Sequence, residues 1–289
     1  MRRANIIQQD SEQINTVEDL TGVFESISST QVARTKDKVA LSKEFFQLLW
    51  RLYTALRVEP GTRITDRQDD GSKRCFVIIA AQAGLSGDID TRLIEAMLEH
   101  YDKNATDIVV VGAHGAQQLE QKGIPFVRYF QVPESDSYID VSPVIDAISP
   151  YSKVTLYYEE YVSLGVQGIK SLDLVSSIQE MSQEVADADQ ADFITAQDTI
   201  FEPSLDEIAD LIERTMITLA FSQAILESSL AQNASRFNAM AVAKKRAFDL
   251  LQYYKLEYHR AKRSEGDRRT REIIVSIKKK RRSKTRTHA

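Results

Sequence analysis

Two glycine turns are the first places where this chain could do chemistry. Ala83-Gly84-Leu85-Ser86-Gly87-Asp88 follows an apolar run, the position at which nucleotide-binding loops cradle phosphate. Its spacing is not GxGxxG and it lacks the Lys-Ser/Thr pair of a P-loop, so a tight strand-to-helix turn fits it better. Gly112-Ala113-His114-Gly115 reads the same way. His100, His114, His259 and His288 are scattered, and no Cys/His/Asp group has metal-ligand spacing, so neither a metal nor a cofactor is expected. No serine has a nucleophile-elbow context and no carboxylate pair stands out in the central region. Glu159-Glu160 is expected to be a solvated pair at a strand end. Tyr253, Tyr254 and Tyr258 follow helical spacing and favour core packing over a stacking platform. Lys278 to Arg286 has the charge density to bind the phosphates of nucleic acid or lipid, and the plainer reading is a solvated helix end. The one cysteine, Cys75, lies in an apolar run and reads as a buried, inert thiol. None of these groups has the arrangement of an active site.

The elements that must carry them are two long helical stretches around a punctuated middle. Ser204 to Glu265 contains neither proline nor glycine. Its apolar residues step by threes and fours through Ile208, Ile212, Met216, Leu219, Leu226, Leu230, Phe237, Met240 or Ala241, Phe248, Leu251, Tyr254, Tyr258 and Ala261. So long and narrow a stripe is matched by another helix lying alongside. The candidate partner runs from Asn15 to Leu56, with Val17, Leu20, Val23 or Phe24, Ile27, Val32, Val39, Leu41, Phe45, Leu48 or Leu49, Leu52 and Leu56 as its stripe. Its pattern weakens between Ser28 and Lys38, and it ends at the Pro60-Gly61 turn.

All six prolines, and every glycine but Gly22 and Gly266, fall between Pro60 and Pro203. Strands are expected at 75–81, 108–111, 126–130 and 154–161, alternating with helices at 90–100, 116–121 and 141–148, and so a parallel sheet. Residues 171–199 are acidic and less decisive, leading to Pro203 as a first-turn residue of the long helix. The expected fold is α/β, with two long terminal helices forming an antiparallel coiled coil around an inserted Rossmann-like domain. The expected boundaries are 1–60, 70–202, 203–277 and a basic tail over 278–289.

Composition bounds the function. With 43% apolar and 27% charged residues the chain is ordinary for a water-soluble protein, and no window approaches the roughly 18 apolar residues of a membrane span. The N-terminal sequence lacks the apolar core of a signal peptide, so residence in the cytoplasm is expected. From Arg268 onward ten Arg and Lys face one Glu, so the net charge of −5 combines a basic tail with a body near −14.

Four motifs, in order along the chain, carry a resemblance. Leu20-Thr21-Gly22-Val23-Phe24-Glu25-Ser26-Ile27-Ser28-Ser29 lies over Ile-Thr-x-Ala-Met-x-x-Val-Ser/Ala-Ala, and Ala83-Gly84-Leu85-Ser86-Gly87 over Arg-Gly-Leu-Cys/Ala-Gly. Ala231-Gln232-Asn233-Ala234-Ser235-Arg236-Phe237-Asn238-Ala239-Met240 is similar to Ser-Glu-x-Ala-Ala-Arg-Met-x-Ala-Met, and Tyr258-His259-Arg260-Ala261-Lys262 to Tyr-Asn-x-Ala-Arg. The chain resembles the gamma subunit of rotary F-type ATP synthases over its length to about Ile274.

That resemblance implies a non-catalytic rotor shaft, with the ATP chemistry on the beta subunits and no nucleotide bound by this chain. The implied partners are the alpha and beta subunits, the epsilon subunit and the c-subunit ring, at the cytoplasmic face of the inner membrane; nucleic acid is not expected. Contacts with the hexamer would fall on Phe24, Ile27, Arg34, Lys262, Arg263, Arg271 and Glu272. Lys262-Arg263 replaces the family's Arg-Gln, Arg271-Glu272 its Thr-Glu, Phe24 its Met, and the basic tail its Gly-Ala-rich end. The alternatives are a gamma-like shaft of a different rotary ATPase, a nucleotide-binding enzyme on the α/β domain, and a coiled-coil scaffold gripping nucleic acid or anionic lipid through its tail.

Overall fold

A computed structural model describes residues 4–55, 73–132, 140–174 and 205–286. The elements run α1 (Ala4–Ala55), β1 (Arg74–Ile79), α2 (Ile89–Leu98), β2 (Thr106–Val111), α3 (Ala113–Gln121), β3 (Arg128–Phe130), α4 (Ser142–Ile148), β4 (Val154–Tyr161), β5 (Gln167–Asp173) and α5 (Leu205–Arg286). They divide between two compact units, one of Met1–Glu25 with Met240–Ala289 and the other of Ser26–Ala239. The first long helix lies within its expected 1–60 and starts ahead of the 15–56 stripe, whereas α5 runs past its expected limit of 277. The polar stretch 28–38 does not interrupt α1, and α5 passes through Gly266 into the basic segment.

In the larger unit the sheet order is β3-β2-β1-β4-β5. The first four strands are parallel, as expected, but β5 pairs antiparallel with β4, from Thr155 opposite Asp173 to Tyr161 opposite Gln167. Residues 171–173 therefore belong to an edge strand. The rest of the acidic stretch, from 175, and Pro203 lie outside the described residues. Alternation along each central strand builds two cores, because successive side chains point to opposite faces. Phe76, Ile78, Ile108, Val110 and Tyr157 face Leu93, Ile94 and Met97 of α2 and Leu119 of α3. Cys75, Val77, Ile79, Val109, Val111, Leu156 and Tyr158 face Val144 and Ile148 of α4 and Phe221, Ala224 and Ile225 of α5. The long helix is thus the second cover of the sheet, and the central strands read as continuous apolar runs since both faces are buried.

Gly112 caps β2 at φ 109°, where a Cβ would lie 2.1 Å from the Ala80 carbonyl oxygen. Gly112→Ala is expected to cost about 3 kcal/mol or more, by strain and collision together. Gly123→Ala, at φ 68° with nothing within 4 Å, should cost only about 1 kcal/mol; urea denaturation of both variants measures the contrast. Cys75 is fully buried beside Asp107, and burial first, the carboxylate second, push its thiol up to about 12. It should resist iodoacetamide at pH 8 in the native protein and react once urea unfolds it, as mass spectrometry would show.

Candidate functional site

The smaller unit is a helix pair. Ala4, Ile7 and Ala261 bury one another with Tyr254 and Tyr258 packed against them, and the Ala4 backbone N–H donates to Glu265 Oε1 at 3.2 Å. Further along, Lys244 Nζ donates to Glu25 Oε2 at 2.8 Å and its stem lies beside Gly22. As α1 numbers rise from 4 to 25, their partners fall from 265 to 244, so the helices are antiparallel.

The seam corrects the sequence reading. On α1 within this unit the buried positions are Ala4, Ile7 and Thr21, whereas Val17, Leu20 and Val23 of the expected stripe are 50, 52 and 55% exposed. Beyond it Ser28 and Thr35 are buried and Ile27 is exposed, while further on Phe46 is buried, next to the exposed Phe45 of the expected stripe. Small side chains let two helices approach closely, and threonine satisfies its hydroxyl locally: Thr21 Oγ1 lies 2.9 Å from the carbonyl oxygens of both Val17 and Glu18, either of which accepts its one hydrogen. On α5 the expected stripe holds at Met240, Leu251, Tyr254, Tyr258 and Ala261, except that Ala247 is buried and Phe248 exposed; Tyr253 is exposed too.

All seven residues expected to meet a partner lie on the surface. Phe24, Ile27 and Arg34 are exposed on α1, and Lys262, Arg263, Arg271 and Glu272 on α5. Lys262 Nζ stands 5.6 Å from the Tyr258 ring centroid, and Glu272 pairs with Arg268 at 3.5 Å. On the last turns with described side chains, Ile273, Ile274, Val275, Ile277 and Lys278 are all exposed.

In the larger unit a polar network seats α5 across the ends of β1 and β4. Ser228 Oγ donates to the Ile79 carbonyl at 3.0 Å and is hydrogen-bonded to Glu159 Oε2. Gln232 Nε2 donates to Glu159 Oε2 at 3.0 Å and to Ser228 Oγ at 2.9 Å. Ser235 Oγ donates to the Ser86 carbonyl at 2.6 Å, Arg236 to that of Ala83 at 3.2 Å, and Asn238 to that of Leu164 at 2.5 Å. Two of the motifs read from the sequence, 83–87 and 231–240, thus meet in space over residues 83–86 and 235–236. The glycine loop is held by a helix: strand ends of a doubly wound sheet form the crevice where nucleotides usually sit, and here α5 lies across them.

Two carboxylates, Glu159 and Asp90, organise this seat. Glu159 is fully buried, not solvated; only its neighbour Glu160 reaches solvent, pairing with Lys170 at 3.5 Å. Asp90, also fully buried, accepts the Ala81 backbone N–H at 2.8 Å, the Ser86 hydroxyl at 2.9 Å and a hydrogen bond with His114 Nδ1 at 2.8 Å. The residue types gave no hint, because the partners of Glu159 lie 69 and 73 residues away in sequence. Removing the Asp90 carboxylate orphans a buried N–H and a buried hydroxyl. Asp90→Ala is therefore expected to cost about 3 kcal/mol, and Asp90→Asn, which keeps an acceptor for Ala81, about 1 kcal/mol, in urea denaturation.

Comparison with known proteins agrees with this arrangement. Residues 4–276 match the pattern of a family described as ATP synthase. The ATP synthase gamma chain of Mycoplasmoides gallisepticum is 23% identical over 290 residues, covering 94% of this chain and 98% of its own. That of Cytophaga hutchinsonii is 22% identical over 280 residues, covering 90% and 93%. Among solved structures, a chain of the Euglena gracilis mitochondrial ATP synthase assembly of OSCP, F1 and c-ring superposes with a TM-score of 0.65 at 14% identity, covering 94% of each chain. One from the central stalk and c-ring of the Tetrahymena thermophila enzyme gives 0.58 at 15% identity, covering 78% of this chain and 99% of that one. With the family pattern spanning nearly all of its residues and the antiparallel helix pair and sheet in place, this chain belongs to the gamma-chain family of ATP synthase.

Proposed function

We propose that the chain works as the rotor of the central stalk, a non-catalytic subunit that carries torque from a c-subunit ring to a hexamer of alpha and beta subunits. The observation that carries this reading is the inverted seam of α1. A helix pair that buries Thr21 and Ser28 while exposing Val17, Leu20, Val23, Phe24 and Ile27 keeps its apolar side for something outside the chain. A sleeve of other subunits suits that face, and it suits the exposed Ile273, Ile274, Val275 and Ile277, which spread over more than half of the circumference of α5. Torque needs a stiff element, and two packed helices resist bending better than one.

In this reading Phe24, Ile27, Arg34, Lys262, Arg263, Arg271 and Glu272 meet the hexamer, and the epsilon subunit and the c-ring engage the remainder of the rotor. Among the described residues no helix is long and apolar enough to cross a membrane, so the chain attaches to the inner membrane peripherally, through its partners on the cytoplasmic face. The network around Asp90 and Glu159 serves to fix the sheet to the shaft, and ATP chemistry stays with other subunits.

Val23→Asp with Phe24→Asp tests this directly. Both side chains are exposed, so the stability of the isolated chain should change by no more than about 0.5 kcal/mol per site. Assembly with purified alpha and beta chains, read by co-purification and ATP hydrolysis, should weaken at least about tenfold, since two charges would be desolvated without partners. Undiminished assembly would show that this face is not the one enclosed.

A further inference from the structure

We propose that Glu159 is a proton-binding site built into the fold: a proton carried by its carboxyl group fastens α5 to the sheet, and loss of that proton as pH rises loosens the helix. Ser228 has one hydroxyl hydrogen and two acceptors in contact, the Ile79 carbonyl oxygen, which can only accept, and Glu159 Oε2. If the hydroxyl donates to Ile79, the hydrogen between Ser228 and Glu159 must come from Glu159. The remaining contacts then close without conflict, with the Gln232 amide donating to Oε2 and to the Ser228 oxygen. An ionised Glu159 would leave that one serine hydrogen to serve two oxygens.

The surroundings of the group agree. Glu159 is fully buried, and its Oε1 has no hydrogen-bond partner. A buried carbonyl oxygen without a partner is tolerable, while a buried anionic oxygen without one is far more costly. From α2 it faces Asp90, whose charge repels a second anion, and behind Asp90 stand His114 of α3 and Arg236 of α5. From α5 it meets Ser228 and Gln232, both neutral. On the strands beside it, Lys170 of β5 is taken by Glu160, and β1 offers only the Ile79 carbonyl. Among the described residues no cation forms an ion pair with Glu159. Burial first, and the Asp90 charge second, hold this carboxyl well above the ordinary carboxylate range.

The sign of the pH effect follows. A carboxyl that keeps its proton to higher pH when folded than when unfolded adds stability that is fully present below its unfolded value. That stability is lost as pH rises through the folded value. Above that point the seat contains two adjacent buried anions, Asp90 and Glu159, at the contact between α5 and the strand ends. In the assembled synthase, loosening there would let the sheet slip against the shaft; that consequence rests on the rotor reading, whereas the proton itself does not.

Infrared spectroscopy and hydrogen exchange on the purified full-length chain test the proposal. The wild type at neutral pH should show the carbonyl-stretch band of a protonated carboxyl group, absent from Glu159→Gln. As pH is raised, loss of the band should coincide with a drop in amide protection across residues 224–236 beyond the intrinsic pH effect, and Glu159→Gln should keep its protection. Ser228→Ala supplies a second, independent reading. If Glu159 donates to Ser228, removing the acceptor moves the midpoint of the band to lower pH. If the serine donates instead, the midpoint moves up. No band in the wild type at neutral pH, an upward shift in Ser228→Ala, or an equal loss of protection in Glu159→Gln would each overturn the proposal.

Discussion

The sheet-bearing unit depends on one constraint: a helix lies close enough to the strand ends for its side chains to donate directly to their backbone carbonyls. Ser228, Ser235, Arg236 and Asn238 reach the carbonyl oxygens of Ile79, Ser86, Ala83 and Leu164. Such proximity demands small residues where the backbones approach, and Ala231 and Ala234 on α5 are fully buried. It demands also that the loop after β1 turn sharply, which Leu85 at φ 71° and Gly87 at φ 74° accomplish. Asp90 then ties that loop from within through Ala81 and Ser86. A helix held only by apolar contacts could rotate or slide by fractions of a turn; one held through several directional hydrogen bonds has a single register.

That arrangement accounts for which parts of the fold were legible. The continuous runs of β1, β2 and β4 are buried on both faces, so composition alone marks them, and β4 matches its expected bounds of 154–161. β5 was missed because Gln167-Gly168-Ile169-Lys170-Ser171-Leu172-Asp173 carries little apolar signal. An edge strand is paired on one side only, and its partner β4 sets it, not its own sequence. Glu159 departs from expectation for a related reason: two adjacent glutamates at the end of a strand look solvated until a helix about seventy residues later supplies Ser228 and Gln232. Gln232 occupies the Glu position of the motif that 231–240 resembles, so here the acidic partner sits on the strand and the amide on the helix.

The stripe on α1 departs furthest from what periodicity predicts. Periodicity finds the apolar side of a helix, and the usual inference is that this side meets the nearest helix. In this chain the two are different faces. Between residues 17 and 35, Thr21, Ser28 and Thr35 occupy the buried positions, while the larger Val17, Leu20, Val23 and Ile27 remain outside. A subunit folded for assembly has two surfaces to bury, one within the chain and one against others, and the sequence records both with the same residue types. Only burial in the folded chain separates them.

The same distinction explains how the two kinds of surface differ in chemistry. Where α5 must never move against the sheet, contacts are buried, polar and directional, and each broken one leaves an orphaned donor or acceptor. Where the helix pair must face several neighbours in turn, the exposed side is apolar, with cations such as Lys262 and Arg263 interspersed, so no single directional bond fixes one orientation. A shaft that turned inside partners through geometric hydrogen bonds would stall at each one. Non-directional contact costs little to shift, because apolar area leaving one neighbour is covered by the next. Rigid attachment to the sheet and smooth contact with neighbours are therefore both consequences of where this sequence places its hydrogen-bonding side chains.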